Sequence, residues 1–297
     1  MAKIIQCVPN ISEGRRSEVI EAVVDEVRST PGVTLVDYSS DASHNRSVIT
    51  FLGNEDSVGE AAFKLAKKAV ELIDLRVHEG EHPRMGAVDV IPFIPIRETT
   101  LDECDEIAKA VGKRIWEECK MPVFLYEHSA TSPKRENLAT IRKGQFEGMA
   151  EKMQKPEWTA DFGGNAPHES AGVVAVGARM PLIAFNINLD TSNLEIASKI
   201  AKIIRRSSGG FDCVKALGVM LEERNIAQVS INMTNFNKTP LYRALETVRF
   251  EAKRYGVNVV GTEIIGLTPV QALVDCAEYY LQIENFDSKK QVLENNL

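Results

Sequence analysis

The sequence predicts an α+β protein, an α/β sandwich of two ferredoxin-like βαββαβ subdomains with a ligand cleft between them. Three observations lead there. Residues 3–96 alternate short β-branched runs with helical patterns in the order β-α-β-β-α-β, the split-βαβ order, and residues 182–266 repeat it. Between them, PEWTADFGGNAPHESAG (156–172) is punctuated by glycine and proline and has no helical period, so it reads as a connection. The 297 residues suffice for two domains of about 150 each. The expected division is 1–178 and 179–297. Each sheet must cover its apolar face with helices, and the space between two such layers is the default place for a ligand.

Taken in order, KIIQCV (3–8) reads as a strand, followed by a polar loop from Pro9 to Arg16. Residues 17–30 place Val19, Ile20, Val23, Val24 and Val27 at helical spacing, with Ser17 as the expected cap. VTLVDY (33–38) and SVITFLG (47–53) are strands around a loop holding Asp41, His44, Asn45 and Arg46. A helix over 55–73 stacks Ala61, Ala62, Leu65, Ala66, Ala69 and Leu72 on one side. A loop (76–86) leads to the strand AVDVIPFIPI (87–96), then a helix over 101–119, the strand PVFLYE (122–127) and short helices to about 155. In the second half, GVVAVGA (172–178), LIAFNINL (182–189), ALGVMLE (216–222), IAQVSINMT (226–234) and VNVVGTEIIG (257–266) are strands. Helices cover 192–206, 240–255 and 269–283. Lys202, Arg205 and Arg206 close the first of these, where positive charge suits the helix dipole better than it argues for a polyglutamate-tail site. Trp116 sits at core spacing, Trp158 in the connector as a cleft-lining candidate, and His44 and His128 read as structural or exposed.

Composition excludes several classes of function. Thirty-five Lys and Arg against 42 Asp and Glu leave a net charge of −7, unsuited to a protein whose main partner is nucleic acid. With 44% apolar and 26% charged residues, the chain is an ordinary soluble protein with a real core. Five scattered cysteines without a CxxC read as reduced thiols rather than a disulfide framework or a zinc knuckle. The N-terminus lacks a secretory leader, and no run approaches the roughly 18 to 20 apolar residues of a membrane span. A cytoplasmic location is expected.

The densest chemical signal is residues 78–96, where His78 and His82 crowd a Gly- and Pro-punctuated loop leading into an apolar strand. The bland alternative is a solvated turn. HEGEH (78–82) also satisfies the H-E-x-x-H pattern of zinc peptidases, but that chemistry needs a helix on which residues four apart share a face. Gly80 and Pro83 disfavour that helix where it matters, so no metal is expected.

CVPNISEG (7–14), HNRSV (44–48), GEHPRMGAVDVIPFIP (80–95), DFG (161–163) with VGAR (176–179), LIAFNINL (182–189) and IAQVSINM (226–233) resemble the formiminotransferase family over essentially the whole chain. The likeness is to its stand-alone form, without the cyclodeaminase portion of bifunctional members. It implies two α/β subdomains with folate in the groove between them, a homodimer, and tetrahydrofolate as co-substrate. It also implies transfer of a formimidoyl group between N-formimino-L-glutamate and N5 of tetrahydrofolate, as in histidine degradation and one-carbon metabolism. His82, in GEHPRMG, is implied as the catalytic base. Imidazole, with an ordinary pKa of about 6.5, can take a proton from the attacking nitrogen and return it to the departing one.

The family's folate stretch falls on 163–172, so Gly163, Gly164 and Gly172 are folate-binding candidates, with His168 a departure in detail. Arg84 would fix a substrate carboxylate bidentately or else pack on its loop. Asp37 and Asp41 flank the exit of the second strand and would orient a histidine or the pterin; the family's acid near position 39 is Ser39 here. Asn10, Glu13 and Gly14 lie on the first β-to-α loop, facing ligand or capping the helix. Two other readings stand beside formimidoyl transfer. One is glutamate formyltransfer from 5-formyltetrahydrofolate, which no residue separates from the first. The other is a non-catalytic folate or amino-acid sensor, against which the crowded His82 loop weighs.

Overall fold

Ile4–Cys7 (β1) and Asn10–Ile11 (β2) together make one broken strand in the computed structural model, which describes residues 3–296. Met1 and Ala2, part of the leader reading, and Leu297 lie outside the described residues. Pro9 has no N–H to give the ladder, so the strand breaks there, while the Pro9 carbonyl still accepts from Ile49 N at 3.0 Å. Close contacts divide the chain into two units, Met1–Arg179 and Met180–Leu297.

In the first unit follow α1 (Ser17–Arg28), β3 (Val33–Asp41), β4 (Arg46–Gly53), α2 (Glu55–Leu72), β5 (Val88–Arg97) and α3 (Leu101–Cys119). Next come β6 (Val123–Leu125), the short helices α4 (Leu138–Arg142) and α5 (Gln145–Lys152), and β7 (Val174–Ala178). The sheet has seven strands. β5, the broken β1–β2 strand, β4 and β3 lie side by side, all antiparallel, and β7 and then β6 extend the β5 edge in parallel. The unit is thus larger than six elements, because α3 carries the chain over to two further strands. Asn54 with Ser57 and Thr100 with Glu103 form capping boxes that start α2 and α3. Ser17 does not cap α1. Among the described residues no side chain caps it; the Glu13 carboxylate takes the N–H groups of Arg15 and Arg16 just ahead of the helix, both at 2.9 Å.

One face of this sheet is packed by α1, α2 and α3 around Phe51, Phe93, Ile49 and Ile91. Burying each of these contributes about 1.5–3 kcal/mol. The other face is covered only in part: Ile141, Met149, Met153 and Trp158 pack on Val90, Phe124 and Tyr126. Trp158 is therefore core within the first unit, edge-on to Phe124 with Lys152 over its ring at 3.9 Å. Trp116 is only half-buried.

The second unit contains β8 (Ile183–Leu189), α6 (Leu194–Ile204), β9 (Val214–Leu221), β10 (Ile226–Met233), α7 (Leu241–Lys253) and β11 (Val259–Ile265). Two more helices follow, α8 (Val270–Leu281) and α9 (Ser288–Gln291). Its sheet runs β11-β8-β10-β9, antiparallel throughout. Helices α6 and α7 cover one face; the other carries a polar chain in which Gln228 Nε2 donates to Asn188 Oδ1 and Asn188 Nδ2 to Glu263 Oε1, both at 2.8 Å. Helix α6 stops at Ile204, so Arg205 and Arg206 lie beyond it, tied to Ser208 and Asp212. Among the described residues no helix is long and apolar enough to cross a membrane.

Candidate functional site

The segment 78–86 is irregular because its neighbours leave it no alternative. A Cβ on Gly80 would stand 2.4 Å from the His44 carbonyl oxygen and 2.8 Å from Asn45 Cβ, so only glycine lets the loop approach the β3–β4 turn this closely. Asn45, itself at φ 48°, joins three loops: its Oδ1 accepts from Gly14 N at 2.9 Å and its Nδ2 donates to Glu79 O at 2.8 Å.

His78 is fixed at both ring nitrogens. Arg84 Nε donates to His78 Nδ1 at 3.2 Å, so Nδ1 is the acceptor and Nε2 carries the proton that it gives to Asn45 O at 3.0 Å. Burial, aided by the Arg84 charge, holds His78 below its ordinary pKa and keeps this neutral form. No lone pair is left for a metal, and His78 and His82 do not act as a zinc-peptidase pair. Arg84 is buried and its fork is filled by the Glu147 carboxylate at 2.8 and 2.7 Å. Its guanidinium is thus committed to holding α5 and the loop together rather than free for a substrate.

His82 differs in its bonding. It is half-buried, and its Nε2 is shielded from solvent with no hydrogen-bond partner among the described residues. Burial first, then the charges of Arg46 and Arg142 and the nearby His44, push its pKa down to about 3. The His44 ring lies 6.4 Å away, and His44 Nδ1 pairs with Asp41 at 2.9 Å. Asp41 is exposed at this rim and its carboxyl is held low by the His44 backbone N–H and ring.

Sequence reasoning did not single out the arginines. On β4, Ser47, Ile49 and Phe51 are buried in alternation, which leaves Arg46 and Val48 on the opposite face. Arg142, at the end of the five-residue α4, pairs with Asp89, whose other oxygen accepts from Met85 N at 2.8 Å. The Nε atoms of both Arg46 and Arg142 are buried without an acceptor. Asn10, directly across from Val48 and Val90, is 5% exposed; its Nδ2 donates to Val8 O and its Oδ1 has no donor.

The remaining candidates scatter. Gly163 lies against Trp116 and Pro122, and Gly172 against Met85, where a Cβ would meet the Met85 carbonyl at 2.2 Å. Gly164, at φ +83°, has open space beside it. His168 closes the turn to Gly172, its Nδ1 accepting from Ser170 N and Ala171 N. Asp37 is exposed on β3, Ser39 pairs with Val48, and His128 is held by Asp102 at 2.7 Å. Among the described residues no three His, Cys, Asp or Glu side chains gather as a metal site.

Comparison with known proteins covers both units. The model for "Formiminotransferase domain, N-terminal subdomain" matches residues 4–179, and that for "Formiminotransferase domain" matches 184–295. The chain is 62% identical over 297 residues to a glutamate formimidoyltransferase of Streptococcus pyogenes serotype M1, covering 100% of this chain and 99% of that protein. It is 46% identical to one from Thermoplasma acidophilum, over 99% of this chain and 97% of the relative. A formimidoyltransferase-cyclodeaminase of Rattus norvegicus shares 44% identity over 96% of this chain but only 53% of its own length.

Proposed function

The chain belongs to the formiminotransferase family, and on that premise we propose that His82 moves the proton in a formimidoyl transfer between N-formimino-L-glutamate and N5 of tetrahydrofolate. Tetrahydrofolate is the co-substrate, and no step needs a metal. The N5 lone pair attacks the formimino carbon and a C–N bond forms. N5 in the tetrahedral adduct then gives up a proton to His82 Nε2. The imidazolium returns that proton to the glutamate nitrogen as its C–N bond breaks, releasing glutamate and 5-formiminotetrahydrofolate. Protons balance, and no covalent enzyme intermediate is required.

The observation that carries this reading is the state of Nε2, unpaired, shielded, and on a ring that is neutral near pH 7. His78 is a poor rival because both its nitrogens are already engaged. For the folate, the open backbone at Gly164 in the 163–172 stretch is the favoured approach, since the other two glycines are explained by packing. A homodimer in the cytoplasm completes the proposal; the apolar side chains that α8 leaves exposed support the dimer.

His82→Gln keeps much of the shape and hydrogen-bonding capacity but not the titrating group. Its kcat should fall by about 10²- to 10⁴-fold with little change in tetrahydrofolate binding, the pattern of an interaction made in the transition state. Near wild-type turnover with an unchanged acid limb would remove His82 from the mechanism.

A further inference from the structure

Next to His82 the protein presents more buried donors than it has acceptors to fill. Of two guanidinium groups, Arg142 from α4 is ion-paired with Asp89 of β5, while Arg46 from β4 feels the Asp89 charge without bonding to it. Both oxygens of Asp89 are taken, one by Arg142 and one by Met85 N. Among the described residues the Nε of each arginine is buried without a partner, as is Oδ1 of the 95%-buried Asn10, which stands across from Val48, two residues along β4 from Arg46. Unpaired polar atoms are rare in a folded interior, where buried polar groups are nearly always bonded. Arg46 and Arg142 also repel one another, and burial disfavours the Arg46 charge, so the arrangement is costly until an anion arrives.

We infer that Arg46 and Arg142 form a carboxylate subsite that seats an anionic substrate beside His82, with Asn10 Oδ1 accepting from an N–H of the same ligand. The chemistry fits: a guanidinium binds a planar carboxylate through paired N–H groups, and an amide oxygen suits a protonated amidine nitrogen. Arg84, the residue on this loop expected to bind carboxylate, has its fork filled by Glu147, whereas Arg142 gives one N–H group to Asp89 and keeps its Nε unpaired, as Arg46 does. Both substrates of the proposed reaction carry carboxylates, formiminoglutamate on its amino-acid part and folate on its glutamate tail.

The subsite also bears on the base. A ring held near pKa 3 is a weak proton acceptor at neutral pH. After burial, what holds it there is the positive charge of Arg46 and Arg142, together with His44 from the β3–β4 turn. A carboxylate seated on the arginines offsets those charges and raises His82 towards neutrality. The base therefore strengthens when the substrate is in place. The choice of reaction rests on the His82 proposal; binding of the anion does not.

Equilibrium binding separates the two. Titration calorimetry with L-glutamate, N-formimino-L-glutamate and tetrahydrofolate would compare the wild-type chain with Arg46→Met and Arg142→Met, all also in the His82→Gln background. Loss of a charge-assisted pair should weaken the ligand whose carboxylate is seated by about 10- to 100-fold. A loss confined to glutamate and formiminoglutamate assigns the subsite to the amino acid, and one confined to tetrahydrofolate assigns it to the folate tail. Arg46→Lys, which keeps the charge and spares the fold but loses the planar fork, should fall between. A second readout is kinetic: the acid limb of kcat should lie at higher pH than that of kcat/KM. All ligands binding both methionine variants, or Arg46→Lys should a methionine variant not fold, within about two-fold of wild type, well below the expected loss, would overturn the subsite, whatever His82→Gln does to turnover.

Discussion

At the scale of single residues, glycine separates packing from function in the 163–172 stretch. Gly172 sits at φ +72° with a backbone carbonyl where its Cβ would be, whereas Gly164 at φ +83° has nothing within 4 Å. Both would pay the left-handed penalty of about 1–2 kcal/mol on substitution by alanine, but only Gly172→Ala also drives a Cβ into the Met85 oxygen. Urea unfolding should therefore show a clearly larger loss for Gly172→Ala, while Gly164→Ala keeps its fold and raises KM for tetrahydrofolate. Equal stability losses would mean that the surroundings of Gly172 yield. In the sequence, a motif is what makes a residue a candidate, as GEHPRMG does for His82. Arg142 did not stand out, because a five-residue helix has too little periodicity to announce which way a side chain faces, and Arg46 was visible only as one polar residue of a turn. Arg84 has two readings in the sequence, a substrate carboxylate or packing on its loop. Only its bonds to Glu147 and His78 reveal a clamp.

Elements were more legible than residues because apolar periodicity extends over many positions. Helices α2 and α3 begin at their capping boxes, and the alternation in β4 matches its buried face. The edges of α1 and α6 moved at the turns that end them, where Ser29 N and Thr30 N bond back to Asp25 O and Val27 O, Asn193 starts α6 by taking Glu195 N, and Arg205 turns extended after Ile204; spacing along one helix does not encode such ends. Helix α8 poses the opposite question, since it is apolar yet scarcely buried: within it only Ala272 is buried, while Val270, Leu273 and Leu281 are exposed. Exposed apolar groups gathered on one helix mark an interaction face, which supports the proposed homodimer. Leu273→Glu, at a position 44% exposed, should leave the fold intact and shift sedimentation from two chains to one. A wild-type mass of 32.9 kDa in solution would remove the dimer altogether.

Over the whole molecule, the repeated β-α-β-β-α-β order was readable, but the size of the first sheet was not. β6 and β7 pair in parallel with partners far along the chain, and no local pattern specifies such pairing. Global stability draws on the same site that the chemistry uses. His82, held near pKa 3 in the folded chain, returns to about 6.5 when unfolded, and His78 is also lowered, mainly by burial. For a group whose folded pKa is depressed, its share of stability is complete above the unfolded value and is lost as pH falls towards the folded one. The histidines therefore drain stability from about pH 6.5 downward, each by at most about 1.4 kcal/mol per pH unit. Carboxylates join only lower. Burial works against ionised Glu13, but its bonds to Arg15 and Arg16 hold its pKa below the ordinary value, so its share goes below about pH 4.3. Lys152, lowered to about 8 by burial, titrates above this window. Urea midpoints should thus fall between pH 6.5 and 4.5 before the carboxylates titrate, and His82→Gln should flatten that limb. Parallel curves for variant and wild type would show that His82 does not fold as a buried neutral ring, and the argument for its proton-accepting Nε2 would fall with it.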